Sequence, residues 1–340
     1  MLWVTAGLFS ALMGLMAFSH RPTGFAPKQR LSEYGFFAAP LSALQPVQGV
    51  LPYAVNAPLF SDYAEKARFI ALPAGERMVF REQGPFDFPV GSTLIKNFFY
   101  YCDFRQPDKG RRIVETRLLV REEQGWRALT YVWNPEQTDA WLEMAGAEVP
   151  VEWTTAEGKR QKLNYSVPNL NQCKGCHTSA GQLVPIGVEA RQLKRSGQLE
   201  QWAALGRLQV SSASALSAVE ALTDYEDVAF PIDSRARAYL HANCAHCHHA
   251  QGSAANSGLF LEATQSHPTH LGIYKAPVAA GRGSGNRKYS IVPGKPRESI
   301  LLYRMEADDP AIRMPELGRQ LPHREGIELI RQWIRHLKAS

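Results

Sequence analysis

Residues 234–248 read SRARAYLHANCAHCH, a run of helix-forming residues that leads directly into the pentapeptide CAHCH. The same spacing occurs upstream, where residues 173–177 read CKGCH. Two thiols three residues apart can form thioethers with the two vinyl groups on one porphyrin edge, and the histidine that follows can then bind the iron. The sequence therefore predicts two covalently bound haem c groups. The residues predicted to hold them are Cys173, Cys176 and His177 for the first, and Cys244, Cys247 and His248 for the second.

The five cysteines also allow other interpretations. A disulfide framework would use the same four cysteines, but it gives no reason for a histidine after each pair. A four-cysteine zinc site usually has about 15–20 residues between its pairs, whereas a whole predicted helical region separates Cys176 from Cys244. The fifth cysteine, Cys102, is predicted to be a buried, small apolar side chain of a strand. His246 and His249 are predicted to be solvated or packing side chains.

A methionine followed by a proline, Met314-Pro315, lies downstream of the second motif and before the last predicted helix. A thioether is a soft iron ligand that raises the reduction potential, so Met314 is predicted to be the sixth ligand of the second haem. No methionine lies between His177 and Met305. The sixth position of the first haem therefore has several alternatives, which are water, an open site, Met144, Met305 and His323.

The formal charge of the 340 residues is +6. The propionates of two haems would cancel roughly two to four positive charges, which leaves a mildly basic protein. Because no basic run is interleaved with aromatic residues, we expect no nucleic-acid partner. The expected partners are redox proteins of the cell envelope, bound in weak and transient contacts.

The N-terminal run from Met1 to Phe18 is almost wholly apolar. It resembles the apolar region of a signal peptide, with Ala17-Phe18-Ser19 as a cleavage site, but it also approaches the length of a membrane span. Residues 1–19 are therefore predicted to be a signal peptide or an N-terminal anchor. Either alternative exports the chain to the periplasm or cell envelope, with membrane contact only through an uncleaved N-terminal segment.

The remaining chain is predicted to be multidomain, β plus α. An antiparallel, β-rich and sandwich-like module over residues 31–166 precedes a mainly α-helical region, which comprises a first haem-binding segment (167–225) and a cytochrome c-like domain with the second haem (226–340). Short runs of β-branched and aromatic residues punctuated by Gly, Pro and Asp indicate the strands. The predicted strands are Met78–Glu82, Thr93–Tyr101, Ile113–Arg121, Trp126–Trp133, Glu148–Trp153 and Lys162–Tyr165.

A period of 3.6 residues in the apolar positions indicates the helices. The stretch that precedes the first motif, 165–172, is predicted to be non-helical, residues 211–217 a small-residue linker, and residues 252–294 a long loop. Asp233 is a predicted N-cap. The predicted helices are Val188–Arg195, Leu199–Leu208, Ser234–Asn243 and Arg324–Leu337.

The residues around both motifs resemble an exported bacterial di-haem c-type cytochrome family of largely uncharacterised function, with a C-terminal part similar to class I cytochromes c. The likeness covers most of the chain from about residue 31, and it implies a periplasmic or cell-surface cytochrome with an added β module. The stretches that carry it are 58–62, 115–119, 171–177, 184–187, 243–248, 291–294 and 314–319.

Three functions are compatible with these patterns. The first is electron transfer between redox partners. The second is a di-haem peroxidase or oxidase that uses an open iron position at the first haem, although the two motifs lie much closer along the chain than in the familiar di-haem peroxidases. The third is a binding function of the β-rich module, with the haems as its redox outlet. No set of catalytic side chains is predicted, so an electron carrier is favoured over an enzyme, and any enzymatic activity is expected to be that of a haem peroxidase-like oxidoreductase.

Overall fold

The computed structural model describes residues 25–338. The predicted signal peptide or anchor at 1–19, with its cleavage site, lies outside these residues. Within the described part of the chain, no helix is long and apolar enough to cross a membrane.

The described chain combines an antiparallel, β-rich half with a set of mostly short helices, so the fold is mixed α and β. Short 3₁₀ turns connect many of these elements. The strands are β1 Val50–Tyr53, β2 Glu65–Ala71, β3 Met78–Val79, β4 Thr93–Tyr101, β5 Arg111–Glu122, β6 Gly125–Trp133, β7 Ala140–Leu142, β8 Ala147–Thr154, β9 Arg160–Val167, β10 Thr178–Ser179, β11 Gln182–Leu183 and β12 Leu208–Gln209. The helices are α1 Leu170–His177, α2 Ala190–Leu193, α3 Gln198–Ala204, α4 Ala213–Ala218, α5 Ile232–Leu240, α6 Pro268–Leu271, α7 Ile300–Glu306 and α8 Arg324–His336.

Six strands form the main sheet in the order β1-β2-β4-β5-β6-β7, and every neighbouring pair is antiparallel. The predicted strand Thr93–Tyr101 is confirmed as β4, and the predicted hairpin is β5–β6. Glu122 pairs with Gly125 across this hairpin, so its loop is only two residues long. The positive φ of Gly125 (135°) is a conformation that glycine adopts at no steric cost.

The two faces of the sheet are covered differently. On the outer face, Ile95 and Leu129 pack against the N-terminal segment that begins at Leu31. On the inner face, Ile70 and Leu94 pack against the segment that contains α2, α3 and α4, including Trp202. The segment predicted to bind the first haem therefore also covers one end of the sheet.

The same covering segment corrects three sequence predictions. The two predicted helices shrink to α2 and α3, because the chain turns at Lys194 and at Leu205. Leu208 instead enters β12, which pairs in parallel with β3. The predicted linker over 211–217 contains α4, which Ser212 caps and which buries Leu216 against the sheet. Tertiary packing of one apolar side chain outweighs the small-residue composition here.

Strands β8 and β9 form a separate antiparallel pair rather than extending the main sheet. Trp153 and Tyr165 of this pair pack against Phe98 and Tyr100 of β4. The pair thus covers the opposite end of the inner face from α2–α4. Between the two apolar patches, the inner face remains open to the region that carries the cysteine motifs.

The C-terminal part is built around α5, α7 and α8. The predicted apolar stripe of α8 is buried, with Ile330 and Trp333 at its centre. The predicted N-cap at Asp233 is wrong, because Pro231 occupies that position and α5 begins at Ile232. The Asp233 carboxylate instead accepts a 2.7 Å hydrogen bond from the Trp333 indole and so links α5 to α8.

Cys102 contradicts its prediction, because it is exposed rather than buried. It follows the last residue of β4, Tyr101, where the chain turns away from the sheet. Its backbone N–H and carbonyl are bonded to Gly110 and Thr154, whereas its side chain has no apolar layer to enter.

Candidate functional site

The first motif lies on a short helix whose start is fixed by a capping box. The Asn169 side chain accepts a hydrogen bond from the Gln172 backbone N–H at 3.0 Å, and the Gln172 side chain accepts one from the Asn169 N–H at 2.9 Å. This reciprocal pair satisfies two donors that the helix itself leaves free. The stretch before the motif was predicted to be non-helical, but its last residues, Leu170 to Gln172, are the first turn of α1.

The second motif continues the helix that precedes it, as predicted. Helix α5 passes into one π-helical turn, His241–Ala245, and Cys244 lies in that turn. The Asn243 amide donates to the Tyr239 carbonyl at 3.0 Å, and its Oδ1 accepts a 2.7 Å bond from the Phe60 N–H. The turn is therefore anchored both to α5 and to the loop between β1 and β2.

The two motifs meet in space although they are distant in sequence. The possible ligand atoms of Cys176, His246 and Cys247 all lie within 4.8 Å of one another. The Cys247 thiol also approaches the Gly175 carbonyl at 3.8 Å. The second cysteines of the two motifs are thus neighbours. All five cysteines are free thiols, so the disulfide alternative finds no bond among the residues described.

Two adjoining cavities contain one complete motif each. Cys173, Cys176 and His177 line the first, of about 140 Å³. Cys244, Cys247 and His248 line the second, of about 480 Å³. Pockets for small ligands usually measure about 300–1,000 Å³, so the first cavity would have to widen to admit a porphyrin. The wall shared by both consists of Cys176, Asn243, Cys244, His246, Met305, Met314, Pro315 and Leu317.

The imidazole of His177 is held in one tautomer. Its Nδ1 lies 2.8 Å from the Val184 carbonyl oxygen, which can only accept, so Nδ1 carries the proton and Nε2 has the free lone pair. The β10–β11 hairpin returns Val184 to this position, and Ala180 and Gly181 at its tip both have positive φ (48° and 76°). Two-residue turns with positive φ at both positions match the right-handed twist of the strands that they connect.

The imidazole of His248 is oriented in the same way by a hydroxyl. The Ser257 Oγ donates to the Ala254 carbonyl at 2.7 Å, so it accepts from His248 Nδ1 at 3.3 Å. The Nε2 of His248 is again left with a free lone pair. A histidine that binds a metal through one nitrogen usually donates the other N–H to a fixed acceptor, and both motif histidines have this arrangement.

Burial keeps both of these imidazoles neutral, which is the form that binds a metal. It lowers the pKa of His177 to about 4 and also lowers the pKa of His248. Burial raises the pKa of Cys244 to about 12. Cys247 differs from Cys244 because the Cys176 thiol donates to it, which lowers its pKa.

Met314 lies in the wall between the cavities, on a loop that Arg319 organises. The buried guanidinium of Arg319 donates to the carbonyls of Met314 at 3.0 Å, Met305 at 3.1 Å and Ala307 at 3.1 Å. The Met314 N–H donates to the Arg304 carbonyl at 2.9 Å. The loop is thus fixed at several points, and the structure places Met314 beside both motifs.

The side chains that could supply the sixth ligand of the first predicted haem differ in their positions relative to the two cavities. Met144 is exposed and lines neither cavity. Met305 is buried and lines both, whereas His323 lines the first. The His323 ring stacks on Phe60 with 4.2 Å between centroids, and its Nδ1 lies 3.2 Å from the Tyr239 hydroxyl.

Sequence reasoning missed three contributors to the site. His246, predicted to be a solvated or packing residue, lies in the shared wall, and its buried Nδ1 has no hydrogen-bond partner. Lys96 and Arg117 line the first cavity from the inner face of the sheet. A single charged residue inside a mostly apolar strand, as in residues 93–101, is the signal that could have identified Lys96.

Comparison with known proteins gives no match among protein-family models, curated sequences or solved structures. The chemistry of the site itself can still be tested against a haem. The chain offers two pairs of free thiols and two neutral histidines with a free Nε2. It also leaves one buried donor, Arg319 Nη1, unpartnered beside the first cavity. The chemistry of these residues fits the group that the sequence predicts, and the first cavity would have to widen to hold it.

Proposed function

We propose that the protein is an exported di-haem c-type cytochrome that transfers electrons between redox partners of the cell envelope. The observation that carries the proposal is the pairing of each cysteine motif with an oriented histidine. His177 and His248 each commit Nδ1 to a fixed acceptor and keep the lone pair on Nε2. A disulfide or a buried structural thiol would not require this arrangement.

The residues of each motif have separate roles in this proposal. The thiols of Cys173 and Cys176 would hold one haem, and those of Cys244 and Cys247 the other, while His177 and His248 would bind the irons. Each haem, when bound, supplies a one-electron couple. The contact of α5 with α8 and the methionine loop between α7 and α8 support a cytochrome c-like C-terminal part, with Met314 as sixth ligand of the second haem.

The proximity of the motifs supports electron transfer in particular. Because Cys176 and Cys247 are neighbours, the chain would hold the two attachment edges side by side. This shortens the distance that an electron has to cross within the protein. Electrons could then enter at one cavity and leave at the other without a large conformational change.

One observation favours a different occupant. Cys176, His246 and Cys247 form a Cys₂His set that could bind a single metal ion such as Zn²⁺. The two readings exclude each other, because a thioether sulfur is no longer a thiolate ligand. Four cysteines and two oriented histidines are explained by haem, whereas the metal ion explains only three of the side chains involved.

The test is to count covalent haems on the full chain, expressed with export and haem attachment intact. A pyridine haemochrome assay and the intact mass should both give two haems per chain. The double variant Cys173→Ala/Cys176→Ala should retain one haem, and the matched control Cys102→Ala, at the exposed fifth cysteine, should retain two. A chain with the mass of its amino acids alone, no Soret absorption and one bound zinc would refute the proposal.

A further inference from the structure

A row of cations crosses the inner face of the main sheet. Residues that pair directly across neighbouring antiparallel strands share a face. Arg68 on β2 pairs with Lys96 on β4, and Lys96 pairs with Arg117 on β5. The row ends at Tyr53 on β1 and at Thr130 on β6. Three positively charged side chains therefore stand directly side by side, and we call them the cation row.

The cation row lies between the two apolar patches of the inner face, and two of its three members border the first cavity. Along β4, Leu94 belongs to the patch under α2–α4, and Phe98 belongs to the patch under β8–β9. Lys96 lies between them. Lys96 and Arg117 both line the first cavity, so part of their accessible surface is cavity surface rather than the outside of the protein.

The carboxylates of this region do not balance the row. Arg117 forms a 2.5 Å ion pair with the fully buried Glu115. Within residues 25–338, neither Arg68 nor Lys96 forms an ion pair, and nor does Lys66, which lies one row further along β2. Four cations thus share the face with one carboxylate.

This arrangement is costly unless an anion joins it. Like charges directly opposite on neighbouring strands destabilise a sheet, and burial of unpaired charge adds to the cost. Burial, with Arg68 nearby, lowers the pKa of Lys66 to about 7. The ring of Phe98 offsets part of the cost, because Lys96 and Arg117 lie 5.1 Å and 4.3 Å from its centroid. That ring serves two cations and cannot replace a counter-ion.

The cation row also extends from the first motif in the direction in which the carboxylates of an attached haem would lie. At its far end, Thr130 lines the first cavity together with Cys173. Neighbouring strands are about 4.8 Å apart, so Lys96 lies roughly 10 Å and Arg68 roughly 14 Å from that end. The carboxylates of a haem extend from the porphyrin edge opposite the vinyl groups. A haem attached at Cys173 and lying along the sheet would direct its carboxylates toward Lys96 and Arg68.

We propose that the cation row, Arg68, Lys96 and Arg117, is the binding site for the propionates of the haem attached at Cys173 and Cys176. This inference rests on the proposed function. It assigns to the β-rich part of the chain a direct role in holding and tuning the first haem. The positive charges of the row would compensate the negative charges of the propionates. The propionates would in turn relieve the repulsion between the cations of the row.

The test is a redox titration of the full, haem-bearing chain, with both midpoint potentials followed optically. Lys96→Met removes the central cation and keeps the length of the side chain. The uncompensated propionate charge then favours the oxidised iron. We expect the ratio of reduced to oxidised first haem at a fixed potential to fall about tenfold, which is about 59 mV for a one-electron couple. The second haem should not respond.

Three variants make the result specific. Lys96→Arg keeps the charge and should keep both potentials, and Arg68→Met should shift the same haem as Lys96→Met. Lys162→Met, at an exposed lysine of β9, is the matched control and should change neither haem. Introduced into Cys173→Ala/Cys176→Ala, which retains only the second haem, Lys96→Met should have no effect.

The outcomes separate this inference from the proposed function. If the wild-type chain carries no covalent haem, the proposed function fails, and this is seen before any titration. If two haems are counted but Lys96→Met and Arg68→Met leave both potentials unchanged, or shift both haems equally, the cation row does not hold the first haem's propionates. A single-haem shift that Lys96→Arg does not restore also overturns the proposal.

Discussion

The packing of Gly326 against Tyr239 lets α8 and α5 approach closely, and Gly326→Ala tests this crossing. A Cβ at Gly326 would overlap the Cζ, Cε2 and hydroxyl oxygen of the Tyr239 ring. The ring cannot move away easily, because it is buried and its hydroxyl is bonded to His323 Nδ1 at 3.2 Å. Overpacking of this kind costs about 1–3 kcal/mol, whereas alanine gains about 1 kcal/mol over glycine in a helix interior. Because three atoms of the ring would overlap the added Cβ, the overpacking cost lies in the upper part of that range, about 2–3 kcal/mol, and we expect a net loss of roughly 1–2 kcal/mol in the free energy of unfolding.

The assay is urea unfolding of the full chain, and the expected change is a lower midpoint with an unchanged slope. The matched control is Arg335→Ala, at an exposed position of the same helix, which should change stability by less than about 0.5 kcal/mol. Tyr239→Leu removes the overlapping ring, so Gly326→Ala should cost little in that background. An equal cost of Gly326→Ala in both backgrounds, or no cost in the wild type, would refute the close crossing.

Three further predictions concern the site. Met314→His should lower the reduction potential of one haem and abolish the weak near-infrared band of Fe–S(Met); an unchanged spectrum contradicts the ligand assignment. Arg319→Gln removes the donors to three backbone carbonyls. It should lower the free energy of unfolding in urea by roughly 2–4 kcal/mol and weaken the Fe–S(Met) band. Unchanged stability and an unchanged band would show that the loop does not depend on Arg319. In a haem-free chain with alanine at the four motif cysteines, stability should rise as pH increases from about 7 to 10.5. The reason is that burial, with Arg68 nearby, lowers the pKa of Lys66 to about 7 in the folded state, while the unfolded chain keeps its proton to higher pH. Lys66→Met should reduce this slope in pH-dependent urea unfolding, and an undiminished slope would contradict the assignment.

The strands that the sequence predicted well are those in which local pattern and tertiary environment agree. Most residues of the run 93–101 are apolar on both sides of the sheet, apart from Thr93, Lys96 and Asn97, and β4 is a central strand that is largely buried on both faces. The hairpin β5–β6 was visible because Gly125 marks its turn between two β-branched and aromatic runs. The stripe of α8 was visible because thirteen residues give the helical period enough length to show.

The elements that the sequence missed depend on contacts between distant segments. Leu208 satisfies a helical period, yet it joins β12 because β3 offers an unpaired edge. Helix α4 lies in a run of small residues and forms where Leu216 meets the sheet. Cys102 was predicted to be a buried, small apolar side chain of a strand, but it lies one residue beyond the end of β4 and is exposed. A position one residue outside a strand is enough to exchange a buried side chain for an exposed one.

The candidate site likewise combines features that local sequence predicts with features that depend on contacts between distant segments. The six cysteine and histidine residues of the two motifs were identified by spacing alone, because thioether attachment fixes their separation along one chain, and their role as haem ligands stays a prediction. The adjacency of Cys176 and Cys247 was not predictable, since it depends on how α1 and the π-helical turn pack together. The cation row was not predictable either. Lys96 and Arg117 lie in predicted strands, but the strand that carries Arg68 was not predicted, and the alignment of Arg68 with Lys96 is set by the register of β2 on β4.

The cation row bears on the role of the β-rich part of the chain. A binding module that served an external partner would be expected to present its charges outward. Here Lys96 and Arg117 instead line the cavity that contains Cys173, Cys176 and His177, and the outer face of the sheet is occupied by the N-terminal segment. Within the row only Arg117 has a counter-charge in the sheet, Glu115, so an anion in that cavity would stabilise the inner face further. If the chain carries the proposed haem at Cys173 and Cys176, we expect the sheet to form one wall of that site, and its stability should then depend on attachment of the haem.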